Sequence, residues 1–288
     1  MSGFSAEWLA LREPLDLRAR NRSVLNAVAA AFQDRPELAI VDLGSGTGAT
    51  VRTLSGRLPK QQRWKLVDDD PVLLAEAFAT APAGVSVETQ EFDLNGDVGS
   101  LLDGVDLVTA SALMDLVSEP WLANLAAAVA ARSLPVYVAL TYDGRVGFSA
   151  FDPVDAQVIS AVNAHQRRNK GFGLALGPGA ATSAERIFRA FGYSFLQGQS
   201  DWIAEASDTR FLVELLDGWR QAADEMGEMP PGALEGWFTR RREAVEAGQL
   251  TLSVGHVDFF AQPSGRRTVV PPKDAAVYDA VAPNRRGA

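Results

Sequence analysis

Five short apolar runs that alternate with helical segments constrain this chain more than any other feature. They are LAIVDL (38–43), RWKLVD (63–68), VSVETQEF (85–92), VDLVTAS (105–111) and PVYVALTY (135–142). Between them lie ATVRTLSGRL, PVLLAEAFAT opened by Asp70-Pro71, a short turn near VGSLLDG, and EPWLANLAAAVAAR. Strands separated by helices cannot pair as hairpins. They build crossovers, and hence a parallel sheet with both faces covered. Residues 5–33 read as one or two helices, with Pro14 interrupting and Ser23 capping the second. After Tyr142 the pattern gives a helix near 153–169, the glycine-rich GFGLALGPGA, and a helix closed by Gly192. A strand YSFLQGQSDWIAE, two amphipathic helices around FLVELLDGW and LEGWFTRRREAV, and a last strand LTLSVGHVDFFAQP (250–263) follow. Residues 264–288 lack periodicity and read as a flexible tail.

Composition removes several classes of chemistry. The chain has no cysteine and two histidines, His165 and His256, so thiolate sites and a histidine-rich metal centre are excluded and no metal is expected. With 27 basic against 36 acidic residues the net charge is −9, which disfavours a nucleic-acid partner. No apolar run approaches the roughly 20 residues of a membrane span, and the first residues lack a secretory pattern. The expectation is a cytoplasmic protein acting on a small molecule, with its oligomeric state open.

The turn Gly44-Ser45-Gly46-Thr47-Gly48 falls between the first strand and the first following helix, where ligands of parallel α/β sheets sit. Its glycines let the backbone approach a ligand closely. Taken alone they fit a dinucleotide fingerprint equally well. Asp42 argues against that, because a carboxylate beside the turn would repel a pyrophosphate. Asp68, with Asp69 and Asp70 behind it, closes the second strand where an acid holds ribose hydroxyls. Asp70 or its neighbour caps the helix opened by Pro71. Asp93 follows the third strand, where a simple turn acid is the competing reading. Three acids at three successive strand ends describe a nucleoside that carries an amino acid.

In VDLGSGTG, LVDDDP, the QEFDL acid and VDLVTASALMDLVSEPWL, the chain resembles the class I S-adenosylmethionine-dependent methyltransferases over most of residues 24–262. The resemblance implies a doubly wound, Rossmann-like seven-stranded sheet in the order 3-2-1-4-5-7-6, the last strand antiparallel. Helical additions would stand at the N-terminus (1–36) and between the last two strands. The binding domain would span 37–263, with a helical lid near 206–249. S-adenosylmethionine would be the cofactor. Gly44, Ser45, Gly46, Thr47 and Gly48 would line its methionine part, with Asp42 orienting the amino group or the loop. Asp68 and Asp69 would face the ribose, Asp93 and the Leu94 backbone the adenine, and Ser111 and Asp115 the transferring methyl. The fourth-strand segment reads SALMDL, without the N/D-P-P-Y/F signature seen in many relatives, so nothing there points to a planar amino group as acceptor.

A base is needed only if the acceptor holds a proton. Candidates are His165, Asp115, Tyr142 and Asp143. On a helical wheel His165 and Arg168 share the face of Val154, Val158 and Val162. Arg168 and Asn169 are therefore expected to bind the substrate, and the competing reading is a histidine packed at a helix end. His256 is expected to be structural, and Trp219 and Trp237 to be core or lid residues. Arg12, Arg18 and Arg20 either fold over the cofactor carboxylate or lie on the surface. The run Arg240-Arg241-Arg242 is expected to be a solvated helix face.

Overall fold

The computed structural model describes residues 5–264. Helices α1 (Ala6–Ala19) and α2 (Arg22–Phe32) precede the parallel strands β1 (Glu37–Leu43), β2 (Gln61–Asp68), β3 (Ser86–Glu91), β4 (Leu107–Ser111) and the start of β5 (Val136–Phe148). Helices α3 (Ala49–Leu54), α4 (Pro71–Ala79) and α5 (Glu119–Ala131) make the crossovers. Beyond them come α6 (Asp155–His165), α7 (Ala180–Ala190), β6 (Tyr193–Gln199), β7 (Trp202–Ala204), α8 (Thr209–Met226), α9 (Ala233–Glu246) and β8 (Leu252–Pro263). The strand order is β3-β2-β1-β4-β5-β8-β6, with β8 antiparallel to β5 and β6 and with β7 also paired to β8. This is the doubly wound order implied by the resemblance, with one additional short strand.

Alternate residues of each strand serve opposite faces. Ile40, Leu66, Tyr137 and Ala139 join one buried cluster with α2, α6, α8 and α9, whereas Val41, Val67, Val108 and Val138 join the other with α5 and α7. Each of the valine, leucine and isoleucine side chains among these contributes about 1.5–3 kcal/mol on full burial.

Four local expectations are corrected. The single strand expected over 193–205 is two, although its register on β8 is unbroken (Gln199↔Val257, Trp202↔Val254). The Asp201 carboxylate accepts the His256 N–H (3.1 Å) where a strand carbonyl would. Pro14 does not interrupt α1. Tertiary contacts along that helix hold it through the proline: Trp8 stacks on Phe211, Glu13 pairs with Arg52 (2.7 Å), and Asp16 accepts from Trp202 Nε1 (2.8 Å). Ser23 is not the cap of α2. Asn21 is, accepting from Val24 N. Residues 240–242 are not a wholly solvated face, because Arg241 is buried against Phe148 and pairs with Asp155, while Arg240 pairs with Asp152 (2.6 Å). The tail expected over 264–288 lies, past residue 264, outside the described residues.

Asp258 of β8 joins the N-terminal helices to the sheet. Fully buried, it accepts from Leu140 N and from Asn21 N, both at 2.8 Å. Leu140 has φ +54 at a shift in the β5–β8 register, and the Asn21 amide is at the α1–α2 junction. The buried Arg20 guanidinium lies in the field of the same carboxylate. Asp258→Ala should strand two amides and a buried cation, and lower unfolding free energy by about 3–5 kcal/mol. Urea titration measures this, and a loss within the surface range of about 0.5 kcal/mol would contradict the assignment.

Candidate functional site

The carboxyl ends of β1, β2 and β4, together with the residues just after β3, open into one cavity of about 370 Å³. Loop 44–48 forms its floor through Gly44, Ser45, Gly46 and Thr47. Gly44, Gly46 and Gly48 hold φ of +64, +51 and +83, a region that disfavours side chains. A Cβ on Gly46 would also come within 3.2 Å of Leu9.

One carboxylate ties the loop down, and a second is buried just before it in β1. Asp68 accepts from Gly46 N (2.8 Å) and from Asp70 N (3.1 Å), joining the β1 and β2 turns, and still lines the cavity. Burial raises its carboxyl above the ordinary range. Asp42 is fully buried, accepts from Thr109 Oγ1 (2.6 Å), and is not among the lining residues. Of the two roles expected of it, orienting the ligand's amino group is corrected, because it is buried and does not line the cavity. Desolvation pushes its carboxyl up to about 6.

Asp69, Asp93, Leu94 and Ser111 line the same cavity. One Asp93 oxygen is engaged by Asn95 N and Nδ2, each at 2.9 Å, and these bonds lower its pKa. Trp121 Nε1 holds the Leu94 carbonyl (2.7 Å), while Ser111 Oγ accepts from the buried Arg20 (3.1 Å). Ser45 Oγ is buried with no protein partner.

The roof draws on Arg12, one of the arginines expected either to cover the cofactor or to lie on the surface, and on the glycine-rich segment after α6. Leu9, Arg12 and Asp16 of α1 cover one side, and Lys170 and Phe172 of the 169–174 loop cover another. No lining residue lies in 206–249, so the expected helical lid is not over the cavity. Its helices pack outside, α8 on α6 and α9 on α8. Arg12 Nε is 3.1 Å from Asp16 Oδ2, whereas Arg18 is exposed and faces Asp208 (3.4 Å). Acids therefore line the β2–β3 end, and the roof carries two basic side chains, Lys170 and the Arg12 that pairs with Asp16.

Most catalytic and substrate-binding candidates stand away from the lining. The Tyr142 hydroxyl donates to Asn163 (2.8 Å), and burial raises its pKa. Asp143 pairs with Arg145 Nε (2.7 Å). Asn169 does not face the cavity but accepts from Gly171 N and Gly173 N, folding the loop that presents Lys170 and Phe172. Arg168 and His165 do not point into the cavity wall either. Both reach Glu225 of α8, at 3.2 and 3.0 Å. The opposing carboxylate on α8, invisible in the helical pattern of α6, accounts for this. Asp115 is buried behind the lining with one oxygen unpartnered, and desolvation lifts it to about 6 against the opposing pull of Arg12 and Lys170. His256 is buried against Trp202, with ring centroids 4.5 Å apart, and desolvation lowers its pKa to about 3. Trp219 and Trp237 are buried core residues.

Among the described residues no His, Cys, Asp or Glu cluster is placed to hold a metal ion, and no helix is long and apolar enough to cross a membrane. No known protein family and no curated protein matches the chain. Among solved structures it is similar to YcgJ from Bacillus subtilis, at 15% identity over 84% of this chain and 99% of that one, TM-score 0.45. It is also similar to the cyclopropane synthase MmaA2 from Mycobacterium tuberculosis, at 10% identity over 90% and 94%, TM-score 0.49. A third is a SAM-dependent methyltransferase from Thiobacillus denitrificans in complex with S-adenosyl-L-homocysteine, at 16% identity over 90% and 99%, TM-score 0.42. At such distance, function is argued from the site.

The raised Asp42 carboxyl has a signed consequence. The folded state binds its proton more tightly than the unfolded chain, so stability falls as pH rises from the ordinary value of 3.8 through about 6. His256, pulled the opposite way, adds stability over the range from about 3 to 6.5. Subtracting the melting profile of Asp42→Asn from the native one isolates Asp42. The native protein should lose ground to the variant between about pH 4 and pH 6. A flat difference would refute the shift.

Proposed function

We propose that the protein binds S-adenosylmethionine in this cavity and transfers its methyl group to a small-molecule acceptor. The observation that carries the reading is the placement of Asp68 and Asp93 around one cavity floored by the positive-φ glycines of residues 44–48. A cavity of about 370 Å³ is within the range of nucleoside-sized sites. The groups present fit the ligand. Among the described residues buried Ser45 Oγ lacks a partner and the second Asp93 oxygen makes no hydrogen bond, and the bare backbone at Gly46 leaves only enough room for a close approach.

In this reading Asp68 accepts from the ribose hydroxyls and Asp93 from the adenine amine. Loop 44–48 offers the methionine part its backbone and Ser45 Oγ. The bound cofactor would supply an electrophilic methyl on sulfur. The protein contributes alignment and water exclusion, with α1 and Phe172 closing the roof. A nicotinamide dinucleotide suits the site less well, because its pyrophosphate would meet the carboxylate of Asp68, which lines the cavity. The acceptor and the methylated atom are the next questions, addressed by a metabolite panel with isotopically labelled methyl donor.

Calorimetry should show binding of S-adenosylmethionine and S-adenosylhomocysteine and none of NADH. Asp68→Ala should weaken S-adenosylhomocysteine at least about tenfold, the loss of one or more charge-assisted hydrogen bonds, while the folded state survives. NADH binding without either sulfur nucleoside would assign the cavity to an oxidoreductase. Tight nucleoside binding with no turnover of any acceptor would make the protein a non-catalytic binder.

A further inference from the structure

Lys170, half-buried in the 169–174 loop, lines the cavity and begins a short polar chain. Lys170 Nζ lies 3.1 Å from His165 Nδ1, and His165 Nε2 lies 3.0 Å from Glu225 Oε2. Glu225 is an acceptor only, so it selects the tautomer with hydrogen on Nε2. The Nδ1 lone pair is then left facing the lysine. One end of this line is in the cavity and the other is an exposed carboxylate on α8, whose side chain is 59% accessible.

We propose that Lys170 takes the proton released by the acceptor, and that His165 and Glu225 carry it from the cavity to solvent. The proposal rests on the reading of the cavity as a methyl-transfer site. Methylating an O–H or N–H group exchanges one proton for one methyl. The acceptor's lone pair makes the new bond to carbon, the electrons of the broken C–S bond remain on sulfur, and one proton must leave. The Nζ lone pair of neutral Lys170 accepts it. The ammonium then donates to His165 Nδ1, and the Nε2 hydrogen passes to Glu225 or to water. Lys170 would touch the acceptor and be catalytic, whereas His165 and Glu225 act through it.

The neutral amine this requires has structural support. Burial disfavours the ammonium and lowers the Lys170 pKa, and Arg168 on the same loop acts in the same direction. Glu225 from α8 and Asp115 from the turn after β4 oppose the shift, while His165 at the end of α6 is the hydrogen-bond partner. Arg12 of α1 lines the same cavity.

The chain has four lysines, so an amine reagent reads Lys170 individually. Pulse labelling with fluorodinitrobenzene across a pH series, followed by mass spectrometry, gives its titration curve, with exposed Lys60 normalising for the reagent. The midpoint should lie below the ordinary lysine value. Glu225→Gln and His165→Phe should each move it lower still, since each removes a group that favours the ammonium. A midpoint at or above the ordinary value would make Lys170 a permanent cation that anchors an anionic acceptor, and would overturn the proposal. So would a midpoint indifferent to both substitutions. Saturating S-adenosylhomocysteine should slow Lys170 labelling by about tenfold or more, as cover by a bound nucleoside requires. Binding seen by calorimetry without protection sinks the relay, whereas no binding at all sinks the methyl-transfer reading and leaves the titration to judge the lysine.

Discussion

A buried carboxylate on β8 holds the two parts of the molecule in one arrangement. Asp258 takes the Leu140 amide from the irregular stretch of β5 and the Asn21 amide that starts α2. A carboxylate in a dry interior is costly unless its lone pairs are used, and here backbone donors use both oxygens. The geometry of α1 follows. The helix leaves this anchor and runs back across the sheet ends, gripped by Trp202, Phe211 and Arg52. Leu9 and Arg12 reach the glycine loop only because the other end of α1 is fastened in this way.

The floor of the cavity uses the same device at smaller scale. Asp68 connects two turns that belong to different crossovers, and Asp42 joins β1 to β4 through Thr109 at the strand end that leads into the first turn. These bonds hold Gly46 where its backbone is bare toward the cavity. The carboxylates of Asp68, Asp69 and Asp93 at the β2–β3 end and the Arg12 guanidinium on the roof give the cavity a direction. A ligand with a neutral or donor-rich end and an anionic end has one favourable way to lie in it.

The parallel sheet and the floor were legible because both rest on local pattern. Apolar runs of strand length ending in acids, with glycine after the first, locate Asp68, Asp93 and residues 44–48 without tertiary knowledge. The roof was not legible. Nothing in LREPLDLRAR distinguishes the cavity-facing Arg12 and Asp16 from the exposed Arg18, and Pro14 argued against a continuous helix that long-range contacts then preserved. Lys170 carried no periodic signal, standing in a glycine-rich loop whose shape depends on Asn169. His165 was found on the correct helical face, but the wheel could not show that α8 offers Glu225 there. The division of the 193–205 strand depends on one side chain replacing a carbonyl, which no alternation reveals.

The roof also sets an order of events in the life of the molecule. Helix α1 is the first described element to leave the ribosome, yet its anchors are Trp202 and, at its junction with α2, Asp258, separated in sequence from Asp16 and Asn21 by 186 and 237 positions. Contacts of such range close late, after the intervening sheet has formed. A nascent chain halted before β8 can own every floor residue and still lack a covered cavity. The last described strand thus completes a pocket whose lining, among the described residues, comes from residues 9–172.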